Sequence, residues 1–490
     1  MSKGHVVIIG AGLGGLLAAI KLKEAGFTFT VLEKNQAVGG TWHENKYPGC
    51  SCDVPVALYQ YSFAGSLVWS QGFPIADEVE AYANELVARY QLAASIRLGT
   101  PAREAVWDED SKSWKVTTLS GETIEAMAVI SALGQLNKPK WPQIEGLESF
   151  QGPMMHTARW DRSQSWDGKR VGVIGTGASA VQLVPPMAET ADHLTVFQRS
   201  PNYVVPRPDE MITPEDKALM MSDMEGALQV GALQRQLIFE TAERLSWKAF
   251  SWTPEGRAAF AARARIHLEK TVTDPDMREA LTPDYPIGCR RILVCDDYYT
   301  ALVRENTSLE TTHIAKIVPD GVVLTDGRHV PLDFLVLATG FDANDWRRSI
   351  DVQGQSGIWL HEAWADVPKA YYGIGVAGFP NYFMLYGPNT NLGHNSITTM
   401  MEAQMGHIIS ALDLLDKEGA VALSPSQAAQ DAFNVELQAR LKNTVWGDEA
   451  CGASWYKTED GFITQNWSGS VTEYQEAVGQ VKREDYDLVR

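Results

Sequence analysis

Two glycine turns carry the first chemistry legible in this chain. Gly10-Ala-Gly12-Leu-Gly-Gly15 and Gly175-Thr-Gly177-Ala-Ser-Ala180 each follow a short apolar run and open a stretch with helical spacing. Residues this small let the backbone turn sharply, approach a pyrophosphate and present helix N-terminal N–H groups to it. One such turn is a weak signal, but two in the same register are hard to produce by chance. In each unit a second apolar run ends 23 residues after the first glycine, at Glu33 in one case and Gln198 in the other. A carboxylate at Glu33 suits ribose hydroxyls and repels a 2′-phosphate, whereas Gln198, Arg199 and Ser200 form a set that welcomes one. The expectation is FAD or NAD at Gly10, Gly12, Gly15 and Glu33, and NADP at Gly175, Gly177, Ala180, Arg199 and Ser200.

Two dinucleotides on one chain imply redox work, because one carrier hands a hydride to the other. Gly39-Gly40-Thr41-Trp42 is a compact turn suited to lying against a flavin, which adds Gly40, Thr41 and Trp42 to the first set. Trp42 stands where a flavin disulfide reductase would present its first redox cysteine. Cys50 and Cys52 are one residue apart, a poor spacing for a redox loop, so disulfide reduction is disfavoured.

The elements that must position these groups follow from the apolar pattern. Residues 6–9 and 27–32 read as buried parallel strands around a helix over 16–25, and residues 170–174 and 194–197 repeat the unit. From Pro214 to about Leu281 the β-branched runs vanish and helical spacing takes over, which predicts a helical insertion. Residues 322–324 and 334–338 then resume the α/β pattern, a helix is expected near Ser396, and the last forty residues read as turns and short strands. The fold expected is α/β, with two dinucleotide-binding Rossmann-like domains and a helical insertion. The division is residues 1–145 and 371–490 for the first nucleotide, 150–210 and 286–370 for the second, and 211–285 for the insertion.

Composition excludes several partners. Lys and Arg number 42 against 61 Asp and Glu, and a formal net charge of −19 repels nucleic acid and anionic lipid. The early apolar stretch, residues 6–20, is too short and too glycine-rich to span a membrane and has no basic leader. Five cysteines suggest neither a disulfide framework nor a metal array, so free structural thiols and a cytoplasmic location are expected. No HExxH or GxSxG occurs, which leaves metal catalysis and hydrolysis without their usual groups.

Beyond the nucleotide turns, Phe150-Gln-Gly152-Pro-Met-Met-His156-Thr-Ala-Arg-Trp160-Asp161 resembles the linker fingerprint of the type I Baeyer-Villiger monooxygenases, FxGxxxHxxxW followed by Pro or Asp. Tyr47-Pro-Gly-Cys-Ser-Cys-Asp53, Tyr285-Pro-Ile-Gly-Cys-Arg290-Arg291, Gly387-Pro-Asn-Thr-Asn-Leu-Gly393 and Ser454-Trp455-Tyr456 resemble the same family, so the likeness spans nearly the whole chain. The resemblance implies Arg291 as the active-site arginine, Asp53 as the carboxylate that holds it, and Arg199 and Arg290 at the NADP 2′-phosphate. Arg290 stands where relatives often have Lys. Trp455 would lie near nicotinamide and substrate, while His156 and Trp160 would couple domain motion to catalysis on hinges near residues 145–152 and 370.

The implied reaction uses NADPH and O2 to insert one oxygen atom beside a ketone carbonyl through a flavin C4a-peroxide, giving ester or lactone. A guanidinium suits the anionic oxygens of that sequence. The alternative is an N- or S-oxygenating flavin monooxygenase, whose linker usually lacks the Trp and Asp found at Trp160 and Asp161. A redox sensor or binding scaffold would leave the second nucleotide site without a purpose. A monomer is the family-like expectation.

Overall fold

The computed structural model describes residues 3–207, 211–250, 254–343, 350–365, 367–452, 454–458 and 460–490, so the expected boundary at residue 210 lies outside the described residues. Two five-stranded parallel sheets organise the described residues. In the first, His5–Ile9 lies between Thr28–Leu32 and Ala128–Ser131, with Ile96–Arg97 and Tyr382–Met384 at the edges. In the second, Arg170–Ile174 lies between His193–Phe197 and Phe334–Leu337, with Thr307–Glu310 and Met154–His156 outside them.

Runs such as Val6-Val-Ile-Ile9 and Phe334-Leu-Val-Leu337 are apolar throughout because both faces of a covered parallel sheet are buried. The helix Leu13–Glu24 sets Leu16, Leu17 and Ile20 against the first sheet, and Ala178–Thr190 sets Val181, Leu183 and Val184 against the second. Parallel strands need crossover connections, and here the crossovers that follow His5–Ile9 and Arg170–Ile174 start at the two glycine turns.

Four helices, Pro214–Ser222, Met224–Arg244, Pro254–Thr271 and Pro275–Ala280, follow the second nucleotide turn. Their starts are written locally: Thr213 and Asp216 form a reciprocal cap, Asp223 accepts from the Gly226 N–H, and Asp274 accepts from the Met277 N–H.

Three expectations need correction. The run at Val322 does not join a parallel sheet: Gly321–Leu324 is the centre of an antiparallel sheet between Ile314–Val318 and His329–Pro331, and only Phe334–Leu337 enters the nucleotide fold. Tight turns on both sides of Gly321–Leu324 leave no room for the crossover that a parallel pairing requires.

The last forty residues contain a helix, Val471–Val478, started by a Ser470–Glu473 capping box, besides the strand Tyr486–Val489 that pairs with Ala422–Pro425. Finally, Cys289 and Cys451 form a disulfide across 162 residues, with Cα atoms 5.1 Å apart. Cysteine count and spacing gave no sign of it, because the docking of two distant loops decides which thiols meet. Cys50, Cys52 and Cys295 are free and buried.

Candidate active site

Both nucleotide turns, and the loops that carry the expected arginines, open onto one cavity of about 2020 Å³. In the first cradle Gly10 has φ +104°, and a Cβ there would stand 2.5 Å from the Ala132 carbonyl oxygen. The helix Leu13–Glu24 has no side-chain cap, so its leading N–H groups are available to a ligand. Glu33 lies at the cavity wall almost fully buried, its two oxygens accepting the Ala11 N–H at 2.7 Å and the Asn35 N–H at 2.8 Å. Gly40, Thr41 and Trp42 line the same wall, and the Trp42 indole donates to the Tyr59 hydroxyl at 3.1 Å.

The second cradle repeats the first. Gly175 has φ +116° and would place a Cβ 2.4 Å from the Ala338 carbonyl oxygen. Gly177 faces open space, and the helix Ala178–Thr190 is likewise without a side-chain cap. Arg199, Ser200 and Arg290 share the adjoining wall. Arg290 lies 4.4 Å over the Tyr285 ring and donates to Ser200 Oγ at 2.7 Å, which fixes its guanidinium beside the strand end.

Two expected ligand residues are placed elsewhere. Gly15 and Ala180 stand behind their turns rather than on the cavity wall. A Cβ at Gly15 would fall 1.8 Å from the Gly10 carbonyl oxygen, so that glycine serves the packing of helix on turn.

Between the cradles, Arg291 donates twice to Asp53, Nε to Oδ2 at 2.6 Å and Nη2 to Oδ1 at 2.5 Å, across 238 residues. Side-chain exposures of 32% for Arg291 and 19% for Asp53 leave one face of the pair open to the cavity. Burial opposes the ionisation of Asp53, but the Arg291 charge and hydrogen bonds outweigh it and hold the carboxyl below its ordinary value. The Asp53 charge raises Arg291 in turn, against the effect of burial. The guanidinium is therefore a fixed cation, aimed by a two-point contact.

The loop that carries each partner is held by residues distant in sequence. Gln182, on the second nucleotide helix, donates to the Ser51 carbonyl at 2.9 Å and accepts from the Tyr47 hydroxyl at 2.8 Å. Arg207 donates to Ser51 Oγ at 3.2 Å. The Arg291 loop is held at Gly288, whose carbonyl accepts from the Trp446 indole at 3.1 Å, and at the Cys289–Cys451 disulfide.

Sequence reasoning missed the phenols around this pair. Tyr59 and Tyr386 line the cavity, and the Tyr386 hydroxyl donates to Asn391 Oδ1 at 2.8 Å. Tyr456 is buried beside half-buried Trp455, their ring centroids 4.4 Å apart. Burial, opposed by the Arg291 charge, pushes the Tyr456 phenol up to about 12 and raises Tyr386 as well, so both stay protonated. Their only sequence signal was adjacency, Tyr386 to Gly387-Pro388 and Tyr456 to Trp455.

Burial also pushes the Cys50 thiol up to about 12 and raises Cys52, so neither is an activated thiolate. His156 and Trp160 lie away from the cavity wall. His156 is buried, its Nδ1 accepts the Ala158 N–H at 3.1 Å, and its ring packs against Trp141 and Phe341. Among the described residues no group of three His, Cys, Asp or Glu could hold a metal, and no helix is long and apolar enough to cross a membrane.

Two dinucleotide cradles facing one cavity, with a fixed guanidinium between them and no thiolate pair, define a flavoprotein oxidoreductase of the oxygenase rather than the disulfide-reducing kind. The family model for pyridine nucleotide-disulphide oxidoreductases matches residues 4–225, which contain both glycine turns. Over 99% of its length the chain is 37% identical to a Baeyer-Villiger monooxygenase of Streptomyces coelicolor, of which it covers 93%. It superposes on the crystal structure of OTEMO in complex with FAD and NADP with a TM-score of 0.87 at 27% identity, covering 99% of both chains. Oxidized steroid monooxygenase bound to NADP gives the same score at 30% identity, with 99% of both chains covered. The chain belongs to the Baeyer-Villiger monooxygenase family.

Proposed function

We propose that this protein is an FAD-containing, NADPH-dependent monooxygenase that inserts one atom of O2 beside a ketone carbonyl to give an ester or lactone. The observation that carries the reading is the two-point Arg291–Asp53 pair on the wall of the cavity that both cradles share. FAD fits the first cradle, where Gly10 and the uncapped helix can meet a pyrophosphate and Glu33 can accept from a ribose. NADP fits the second, where Arg199, Ser200 and Arg290 present two cations and a hydroxyl to a 2′-phosphate.

When bound, the two groups supply hydride transfer and oxygen activation. Arg291 places a fixed positive charge where negative charge develops on the ketone oxygen. Asp53 keeps that charge aimed and limits the local positive excess. Protonated Tyr59 and Tyr386, with Trp455 backed by Tyr456, line the cavity that holds the pair and narrow the room left for water. His156 and Trp160 act from the linker, through the relative motion of the two nucleotide folds. One chain contributes every one of these groups, so the site is complete in a monomer.

Product analysis by mass spectrometry tests the reading, with FAD-loaded protein, NADPH, oxygen-18 gas and a panel of cyclic, linear and aryl ketones beside a thioether. Ester or lactone carrying one labelled oxygen is the expected result. Sulfoxide alone, with every ketone returned unchanged, would transfer the assignment to N- or S-oxygenation and leave Arg291 without its role.

A further inference from the structure

Glu243 stands on the insertion helix Met224–Arg244, off the cavity wall. Its carboxylate nevertheless gathers hydrogen bonds from two distant parts of the chain. Oε1 accepts from His394 Nε2 at 3.1 Å and from Asn395 Nδ2 at 2.8 Å, while Oε2 accepts from the Thr472 N–H at 3.0 Å and the Thr472 hydroxyl at 3.1 Å. A carboxylate can only accept, so Nε2 of His394 carries its proton, and two donors on each oxygen use the full set of lone pairs. Burial opposes ionisation, and His394, Thr472 and Asn395 outweigh it, bringing Glu243 down to about 2.

The other end of this network is the cavity. Asn395 lines it, and Asn395 Oδ1 accepts the Ser396 N–H at 2.8 Å. Ser396 caps the helix Ile397–Glu418, whose Ile397 and Met401 line the same wall as Leu392. The insertion grips this loop at a second point. The Trp247 ring lies 4.9 Å from the His394 ring, and Phe250 sits so close to Gly393 that a Cβ there would fall 2.5 Å from its ring. Leu392, Asn395 and Met401 are thereby held relative to Arg291 by an acid that lies off the cavity wall and reaches it through its bond to Asn395.

We propose that Glu243 is a specificity-determining positioning residue: through Asn395 and His394 it sets the wall formed by Leu392, Asn395 and Met401, and so decides how bulky a ketone the cavity accepts. The proposal rests on the reading of that cavity as the ketone site. Glutamine at this position keeps the size but replaces one acceptor oxygen with an N–H group that must face either Asn395 or Thr472, donor against donor. Aspartate keeps the charge and draws it back by one methylene.

The test uses the full-length, FAD-loaded protein with a small cyclic ketone, a bulky aryl ketone and a thioether. For Glu243→Gln we expect KM for the bulky ketone to rise about tenfold and KM for the small one by less than about threefold, the scale on which pocket shape discriminates substrates. FAD content, flavin reduction by NADPH and kcat should stay within about twofold of the parent. Glu243→Asp should recover part of the lost selectivity.

An unchanged ratio of kcat/KM between the two ketones overturns the proposal, as does an equal loss on every substrate accompanied by loss of FAD. Asn395→Ala gives a second route should the Gln variant fold poorly. It should shift selectivity in the same direction, and the double variant should shift it no further than the larger single effect, whereas additive shifts would sink the coupling. Sulfoxidation without any ketone product, but with a shifted thioether KM in Glu243→Gln, would support the positioning role while removing the ketone reading.

Discussion

Gly10 and Gly175 hold nearly the same left-handed backbone, and at each an added Cβ would strike the carbonyl oxygen of an alanine just past a neighbouring strand, Ala132 or Ala338. Beyond that shared solution the two cradles part. The first is roofed: the Gly39 N–H donates to the Ala11 carbonyl at 3.0 Å, and Gly40 lies so close to Gly12 that a Cβ on Gly40 would stand 2.9 Å from the Gly12 Cα. The second is open, with nothing within 4 Å of a Cβ at Gly177. A roofed turn suits a cofactor that stays through every cycle, and an open one suits a carrier that must exchange. The strand ends differ in the same sense, a carboxylate at Glu33 against the cations Arg199 and Arg290.

Several measurements would break or sharpen this contrast. The largest effect belongs to the residue between the cradles. Arg291→Ala should lower ester formation by about 10²–10³-fold, the usual cost of removing a charge-stabilising group, while FAD stays bound by its absorbance. Loss of the flavin in that variant would mean that Arg291 serves the first cradle instead.

The cradles themselves should respond unequally to the same substitution. Gly10→Ala must combine a left-handed φ, worth about 1–3 kcal/mol of strain, with a clash against Ala132, so it should yield flavin-free or insoluble protein. Gly177→Ala meets open space and should fold with FAD bound, the added methyl raising only the KM for NADPH. Equal flavin loss in both variants would erase the distinction.

Arg199→Ala and Arg290→Ala should each raise the NADPH KM by about 10- to 100-fold, the value of a charge-assisted hydrogen bond. NADH kinetics should hardly move. A parallel loss with both nucleotides would deny the second cradle its 2′-phosphate site.

Cys451→Ser removes the cross-link between the Arg291 loop and the segment leading to Trp455. It should lower stability by about 2–4 kcal/mol, read as a drop in melting temperature that reductant reproduces in the parent and does not deepen in the variant.

The smallest effect concerns the start of two neighbouring inner strands of the second sheet, where Arg170 donates to Asp333 and hydrogen bonds hold the Asp333 carboxyl down at about 2. A carboxylate depressed in the folded state stabilises above its unfolded pKa, near 4, and loses that contribution as the pH falls through 2. Both side chains are well exposed, so Asp333→Asn should give only a slight, salt-screened change in acid unfolding within that window.

How much of this was legible in advance depended on how local each feature is. The glycine turns, the strand ends at Glu33 and Gln198 and the helices over 214–280 were readable because their determinants lie within a few consecutive residues: a φ that only glycine adopts easily, a strand end, a cap three residues from its partner. The Val322 run misled because a short apolar strand looks the same in parallel and antiparallel sheets, and the turns around it decided the matter. The C-terminal helix Val471–Val478 was missed although Ser470 and Glu473 carry its capping signal. Gly15 and Ala180 were grouped with the ligand residues because the fingerprint is read as one string, whereas in space its third position turns inward.

By itself the sequence determined that the chain makes two dinucleotide folds with unlike strand ends, and, through family resemblance, it pointed to Arg291 and Asp53. Contiguous residues set backbone turns and strand-end chemistry, and those need no partner from elsewhere. Only the tertiary structure decided that Arg291 meets Asp53 at two points across 238 residues, that Cys289 pairs with Cys451, that Tyr386 and Tyr456 lie within reach of the Arg291 charge, and that Glu243 reaches the cavity through Asn395. Those contacts form when separately folded loops dock, and the energy of a long-range pair depends on distance and burial, which no local pattern of residues encodes.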